Sequence, residues 1–393
     1  MKSLLTFLFM VLPFASKSQM WIQKADFGAD ARRSAVALSI GGKGYVGTGY
    51  SGTFYKDWWE YDPNGDTWTQ KADFGGTARF SAVAFAIDSL GYVGTGYDVN
   101  NNFNTSDFWA YHPFSNSWTQ IASIPVDRRY AVGLAINSNG YVGTGVNGSG
   151  YLNDFWEYDP SSDSWAQKTN FPGAARYECV GFSVKSSGYI GIGAFAGTLY
   201  HDFYEYTPET NGWIQRADYP GNGQDAAFGF GINDKGYIGG GDDQGNYFGD
   251  FWEWDQTTDT WSQLPDFPPD PRAYGVGVTI GNHGYAGLGE EINYYKDWWE
   301  YIPDTTVATT IHPVPGKKFT VTVLSDDRML VHHNLSRADF NVYNLDGRRI
   351  FSKRLNERNR DLVIHERNLG YGVFLYSVAE NNKIIFSGKL VIP

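Results

Sequence analysis

The sequence predicts an all-β protein whose larger part is a six-bladed β-propeller. The phrase Gly-Tyr-[Val/Ile/Ala]-Gly-x-Gly occurs six times, and successive copies start 47 to 49 residues apart. A period near 50 residues that contains several short strands is typical of propeller blades, because each unit buries its faces only against its neighbours. The copies open at Gly44, Gly91, Gly140, Gly188, Gly236 and Gly284.

Each of the first five repeats contains four strand signals in the same order. The first copy begins with an apolar run from Ser34 to Ile40, and the glycine-tyrosine strand follows. An aspartate-led aromatic segment, here Asp57-Trp-Trp-Glu-Tyr61, precedes a last strand that contains Trp68. Because successive side chains of a strand point to opposite faces, the aromatic segment covers both faces of its blade. Four antiparallel strands per repeat therefore predict one blade each.

The positions of the tryptophan strands predict how the ring closes. The sixth copy stops at Tyr301 without its tryptophan strand, whereas Trp21-Ile-Gln-Lys-Ala25 precedes the first copy and matches Trp68-Thr-Gln-Lys-Ala72. We therefore expect the N-terminal strand to supply the outer strand of the last blade. This closure leaves no incomplete blade.

The N-terminal end of the chain differs from the repeats. Residues 1–18 combine a positive start with an apolar stretch too short to span a bilayer, which predicts a signal peptide and a mature chain that begins near Gln19. We expect a secreted or cell-surface protein and no transmembrane helix. The single cysteine, Cys179, takes the place of Ala82 in the repeat, so it is expected to be a small inner-strand residue.

A second domain is predicted beyond the repeats. Residues 303–312 form a threonine-rich linker, and residues 313–393 alternate apolar and polar side chains, which predicts a small β-sandwich. The C-terminal region has 13 Lys/Arg against 8 Asp/Glu, whereas residues 1–312 have a net charge of −17. The acidic propeller disfavours nucleic acid as a partner, because phosphate neutralisation needs a basic surface.

Two resemblances to known families accompany these patterns. Residues 19–302 resemble the kelch superfamily in their paired glycines, their aspartate-led aromatic strands and the pair Asp62-Pro63. The segments Val342–Gly347, Leu369–Tyr376 and Gly388–Ile392 resemble the C-terminal sorting domain of proteins exported by the bacterial type IX secretion system. That resemblance implies the secretion machinery as a partner. A plain structural or carbohydrate-binding sandwich is the alternative.

Loop lengths predict a functional face. The turns after the first and third strands of each repeat are short, and the other two connections are long. Because strands alternate in direction, both sets of long loops emerge on the same side of the disc, where binding usually resides. We refer to this side as the long-loop face.

An arginine stands on the long-loop face twelve residues before each glycine-tyrosine pair, except in the fifth repeat, which has Gln224. A ring of such arginines around the channel would favour anions. In the alternative interpretation, each arginine pairs with an acidic residue of a neighbouring blade. The proposed ligand-binding residues are Arg32, Arg79, Arg128, Arg176, Gln224, Asp225, Arg272, Tyr151, Tyr200, Tyr247 and Glu290.

These patterns favour a binding module for a glycan or a protein. The catalytic alternative is a metal-independent isomerase that resembles the six-bladed N-acetylneuraminate epimerase and acts on an acidic sugar. Its acid or base candidates are Glu290, Glu291, Asp225 and Asp242. We expect no cofactor and no metal, because His112, His201 and His283 fall in different parts of their repeats and do not reproduce the copper site of the kelch-type galactose oxidase.

Overall fold

The computed structural model describes residues 20–98, 103–268, 270–303, 319–324, 328–344, 348–356, 358, 360–365, 372–380 and 383–392. The chain divides into two compact units, residues 1–303 and 304–393. The predicted signal peptide, Gln19 and all of the predicted linker except Pro303 lie outside the described residues. Within the described ranges, no helix has the length and apolar character needed to cross a membrane.

The first unit is built from six four-stranded antiparallel sheets, which confirms the predicted propeller. Each sheet orders its strands from the channel outwards as inner, second, third and outer strand. In blades 1 to 3 they are Val36–Ile40, Lys43–Gly47, Trp58–Asp62 and Thr67–Lys71; Val83–Ile87, Leu90–Gly94, Phe108–His112 and Ser117–Ile121; and Val132–Ile136, Asn139–Gly143, Phe155–Asp159 and Ser164–Lys168. In blades 4 to 6 they are Val180–Val184, Ser187–Gly191, Phe203–Thr207 and Gly212–Arg216; Phe228–Ile232, Lys235–Gly239, Phe251–Asp255 and Thr260–Leu264; and Val276–Ile280, His283–Gly287, Trp298–Ile302 and Met20–Lys24.

The N-terminal strand closes the ring as predicted. Met20–Lys24 pairs antiparallel with Trp298–Ile302, and Trp21 lies opposite Tyr301. The Trp21 ring also packs edge-on against Phe251 and Phe267 of the preceding blade, at centroid distances of 5.0 and 4.8 Å. The N-terminal strand is therefore joined to the last repeat both by backbone hydrogen bonds and by an aromatic cluster.

Aromatic side chains fill the spaces between blades. In the third strand of blade 1, Trp58 packs against Tyr111 of blade 2, whereas Tyr61 packs against Trp298 of blade 6. Trp58, Tyr61 and Trp298 are all fully buried. The strand thus buries both faces against neighbours, which is the arrangement that the repeated aromatic segment predicts.

The Gly-x-Gly end of each second strand ties neighbouring blades together. Its last glycine has φ between 95° and 109° in all six blades, a region that favours glycine, and its N–H donates to the carbonyl of the next blade's Arg or Gln at 2.7 to 3.1 Å. At Gly145 a Cβ atom would lie 2.7 Å from the carbonyl oxygen of Arg129. Glycine is therefore required both for the turn and for the close approach to the backbone that precedes the inner strand of the same blade.

The long loops lie on one side of the disc and carry short additional strands. One three-stranded sheet belongs to blade 2, and two-stranded ribbons extend the loops of blades 3 and 4. Their strands are Arg79–Phe80, Tyr97–Asp98 and Phe103–Asn104; Val146–Asn147 and Gly150–Tyr151; and Ala194–Phe195 and Thr198–Leu199.

The second unit contains two antiparallel sheets, as the predicted sandwich requires. Its core includes Val331 and Ile364 from one sheet and Phe340 and Val378 from the other. Residues 345–347 and 366–371, which carry parts of the sorting-domain motifs, lie outside the described residues. The strands are Phe319–Leu324, Arg328–His333 and Asp361–His365 in one sheet, and Arg349–Asn356, Arg337–Tyr343, Gly372–Glu380 and Lys383–Ile392 in the other.

Candidate functional site

The five repeated arginines are internal braces of their own blades. Each guanidinium forms two parallel hydrogen bonds with the aspartate that opens the third strand of the same blade, and each arginine is at most 1% exposed. The pairs are Arg32–Asp57, Arg79–Asp107, Arg128–Asp154, Arg176–Asp202 and Arg272–Asp297.

Arg128 shows how completely one of these cations is satisfied. Its Nη1 and Nη2 donate to the two carboxylate oxygens of Asp154 at 2.8 and 2.7 Å, while Nη1 and Nε donate to the carbonyls of Thr144 and Val126. Burial by itself would raise the pKa of Asp154, but the Arg128 guanidinium holds that pKa below its usual value. The predicted ring of free cations is thus replaced by closed ion pairs, formed within a blade and not between blades.

The fifth blade replaces this ion pair with a chain of hydrogen bonds that contains no cation. Gln224 Nε2 donates to the Tyr219 hydroxyl at 3.1 Å, and that hydroxyl donates to Asp250 at 3.1 Å. Tyr219 stands where blade 4 has Phe171, so the added hydroxyl occupies the region of the missing guanidinium. Gln224 is fully buried, which makes it a brace like the arginines. Burial, together with the charge of Asp266, raises the pKa of Asp250 above its usual value.

A closed ring of backbone hydrogen bonds surrounds the mouth of the channel. It involves the residue two positions after each of the five arginines and after Gln224. Each of these six residues donates its N–H to the carbonyl of the equivalent residue in the preceding blade, at 2.8 to 3.1 Å. All six have φ between 51° and 56°. We call these six residues the mouth ring. They are Ser34, Ser81, Tyr130, Glu178, Ala226 and Tyr274.

A cavity of about 410 Å³ lies on the long-loop face above part of the mouth ring. It has tyrosine walls, one arginine and three carboxyl groups, contributed by loops of blades 3 to 6. We call it the mouth cavity. It is lined by Arg129, Tyr130, Val146, Tyr151, Tyr177, Glu178, Asp225, Asp242, Gln244 and Tyr274.

Three carboxyl groups of the mouth cavity face one another. Asp225 and Asp242 are directly opposite in an antiparallel bridge, each donating its N–H to the other's carbonyl at 3.0 and 3.1 Å. Opposed residues of such a pair project to the same side, so like charges repel there. Burial and the charge of Asp242 raise the pKa of Asp225 to about 8. Burial and the charges of both aspartates raise the pKa of Glu178, which is only 8% exposed, well above its usual value.

The cations near the mouth cavity are engaged elsewhere. Arg33 forms an ion pair with Glu290, and its guanidinium lies 5.0 Å from the ring centroid of Tyr274. Arg129 donates to Asn104 at 3.0 Å and lies over the ring of Tyr130. Among the described residues, no Lys, Arg or His forms a salt bridge with Glu178, Asp225 or Asp242.

The channel below the mouth ring is lined by small side chains. Ala35, Ala82, Ala131 and Cys179 occupy equivalent positions in its wall, as the repeat alignment predicts. Burial raises the pKa of the Cys179 thiol to about 12, which keeps the thiol protonated. The channel wall thus offers little chemistry, and the polar groups are concentrated in the mouth cavity.

The proposed binding residues separate into two groups in the structure. Asp225 and Tyr151 line the mouth cavity, as does the proposed acid or base Asp242. The other proposed side chains have different surroundings: Tyr200 covers the Arg176 guanidinium at 3.8 Å, Tyr247 pairs with the backbone of Asp242, and Glu290 pairs with Arg33.

Sequence analysis missed most of the cavity wall, including Arg129, Tyr130, Tyr177, Glu178 and Tyr274. All five stand one or two positions after a repeated arginine, where the six repeats differ from one another. An invariant residue in a repeat meets the same internal environment in every blade, whereas the variable neighbours are free to form a single site. The difference between the repeats was the available signal.

The other chemical candidates do not come together. His201 contacts the carbonyl oxygen of Tyr219 at 3.2 Å, and His283 bonds to Glu300 at 2.6 Å. In the part of the chain that the structure describes, no three His, Cys, Asp or Glu side chains are arranged to hold a metal ion.

Comparison with known proteins supports the propeller fold. No family model matches the chain, and no curated protein matches it. Among solved structures the chain is similar to YjhT, a β-propeller, with a TM-score of 0.61 and 19% sequence identity over 70% of this chain and 96% of that chain. At this identity the likeness shows the fold alone. Strand topology and structural similarity agree that the larger unit is a six-bladed β-propeller.

Proposed function

We propose that the protein binds a small polyhydroxylated ligand, the end of a glycan, in the mouth cavity. The observation that carries this proposal is the cavity itself, whose volume of about 410 Å³ falls within the range of small-molecule sites. Its walls combine aromatic rings with a few convergent polar groups, which is the composition expected of such sites.

Tyrosine rings and carboxyl groups supply complementary contacts for a sugar. The Tyr151 and Tyr177 rings stack at 5.5 Å and contribute apolar surface to the cavity wall. Glu178, Asp225 and Asp242 in the same wall offer acceptor oxygens, and donors when protonated. A sugar ring carries both kinds of surface, because its hydroxyls lie at the edge and its C–H groups on the faces.

The rim of the long-loop face supports a ligand longer than one sugar. Phe103, Phe195 and Ile292 are exposed in the loops between the second and third strands of blades 2, 4 and 6. Exposed apolar side chains around a polar cavity favour a ligand that extends beyond it. We therefore place the terminal unit of a larger glycan in the cavity and the remainder across the rim.

Calorimetric titration of the full chain with monosaccharides and short glycans tests this function. Tyr177→Ala removes one aromatic wall and should weaken binding by about tenfold, the effect of ~1.4 kcal/mol. Phe114→Ala is the matched control, because Phe114 is fully exposed in a short turn on the opposite face. Equal affinity in wild type and Tyr177→Ala, or equal losses in both variants, would place the site elsewhere.

A sugar isomerase is the second candidate, favoured by the raised pKa values in the cavity. A carboxyl group whose pKa is about 8, as for Asp225, retains its proton near neutral pH and is able to act as a general acid. Glu178 is the adjacent acid or base. Proton NMR of anomer or epimer conversion checks this candidate, and unchanged spectra with every sugar that binds would exclude it.

We also propose that the protein is exported through its predicted signal peptide, with the C-terminal unit serving type IX secretion. The acidic balance of the propeller against the basic C-terminal region supports separate roles for the two units. N-terminal sequencing of the extracellular protein should begin near Gln19. Retention inside the cell with residues 1–18 intact would contradict export.

A further inference from the structure

We infer that the mouth cavity selects a ligand with a primary ammonium group, and that the ammonium lies among Glu178, Asp225 and Asp242. This inference rests on the proposed function, for which the ligand would be an amino sugar. The repeated arginines predict a preference for anions, and this inference reverses it. Each of those arginines is already paired with an aspartate, whereas the carboxyl groups line the cavity.

The three carboxyl groups form an acceptor cluster on the cavity wall. Asp225 and Asp242 are held opposite each other by two backbone hydrogen bonds, which keep their Cβ atoms close together on the same side of the bridge. While the carboxyl groups are ionised, Asp242 Oδ1 is buried and accepts no hydrogen bond from the described residues. The side-chain hydrogen bonds of Asp225 with Asp242 and Glu178 form only when a proton is shared. An ammonium group has three donors and one positive charge, so it would supply the hydrogen bonds and the charge that shared protons otherwise provide.

The neighbouring cations leave the acceptor cluster open. Glu290 neutralises Arg33, and Arg129 is directed to Asn104. Burial and mutual repulsion raise the pKa values of Glu178 and Asp225, and the charge of Arg33 offsets this only in part for Glu178. A ligand cation would favour the ionised carboxylates and release their protons, whereas a ligand carboxylate would add a further negative charge.

The tyrosine walls add a second attraction for a cation. Tyr130, Tyr177 and Tyr274 line the same cavity. The Arg129 and Arg33 guanidinium groups already lie 5.6 and 5.0 Å from the ring centroids of Tyr130 and Tyr274. Among the described residues no Lys or Arg lies over the Tyr177 ring. Ring faces attract ammonium groups by cation–π interaction, so the Tyr177 ring and the acceptor cluster favour the same chemical group.

A charge series of matched sugars tests the inference on the unmodified chain. We expect glucosamine to bind about tenfold more tightly than glucose and N-acetylglucosamine, a difference of ~1.4 kcal/mol. Equal binding of the three sugars would overturn the ammonium preference and leave the sugar-binding function standing. Tighter binding of glucuronate would also overturn it and would assign the main contact to Arg129.

Lysine amide separates the ammonium from the sugar ring. Its binding in the absence of any sugar binding would retain the ammonium preference and overturn the glycan function. Asp225→Asn should reduce the ratio of glucosamine to glucose affinity, with a thermal melt to verify folding. Because the ligand series is measured on wild type, a variant that fails to fold does not remove the test.

Discussion

Arg176→Gln tests whether the repeated arginines stabilise the propeller. The substitution removes the cation from a buried ion pair in which Arg176 bonds to both oxygens of Asp202, to the Ile192 carbonyl and to the Ala174 carbonyl. Blade 5 already contains a natural version of this change, since Gln224 is accompanied there by Tyr219. Phe171→Tyr should therefore compensate for Arg176→Gln in blade 4.

The structure sets the expected size of each effect. Breaking a buried ion pair from one side costs ~3–5 kcal/mol, and the lower end applies because the Asp202 side chain remains 20% exposed. Phe171→Tyr alone buries a hydroxyl beside a satisfied guanidinium and should cost ~1 kcal/mol. In the double variant that hydroxyl donates to Asp202, which should return ~1.5–3 kcal/mol. We expect a coupling free energy of about 2 kcal/mol in favour of the double variant.

Urea unfolding followed by tryptophan fluorescence measures this cycle. All 14 tryptophans lie between Trp21 and Trp299, so the signal reports the propeller and not the C-terminal unit. The wild type and the three variants give the four corners of the cycle. A double variant that is no more stable than Arg176→Gln would refute the role assigned to Tyr219, and an unchanged midpoint in Arg176→Gln would refute the brace itself.

Two further predictions concern ring closure and pH. Trp21→Ala should destabilise the propeller by ~3–5 kcal/mol in the same urea assay, because Trp21 packs against Phe251, Phe267 and Tyr301; a loss below that of an exposed-site control, Phe114→Ala, would contradict closure. Asp225→Asn should raise the melting temperature above wild type at pH 8 and match it near pH 4. The pKa of Asp225 in the folded state, about 8, exceeds its unfolded value, so the stability of the wild type falls as pH rises between the two values. We expect Asp225→Asn to be more stable than wild type by ~2 kcal/mol at pH 8. A stability difference that does not change with pH would disprove the repulsion.

The repeat pattern was sufficient to predict most of the fold. The 48-residue spacing from Gly140 to Gly188, and from Gly188 to Gly236, reflects a unit that packs against a similar unit on each side. The Trp21 segment matches an outer strand, and only the sixth repeat lacked one. Hydrophobic period and turn length are local properties of the chain. They determine strands, blades and the side on which long loops emerge, before any long-range contact is considered.

The site depended on contacts that no local pattern contains. Arg128 has the same sequence signature whether it faces a ligand or Asp154, and only the packed blade shows that Asp154 closes it. The mouth cavity joins residues from Arg129 to Tyr274, which the ring brings together across four blades. The sequence by itself thus determined the repeated unit and its closure, because these follow from periodic burial. Tertiary structure decided which charges are paired, because pairing depends on contacts between residues far apart in sequence, within a blade for Arg128 and Asp154 and between blades for Arg33 and Glu290.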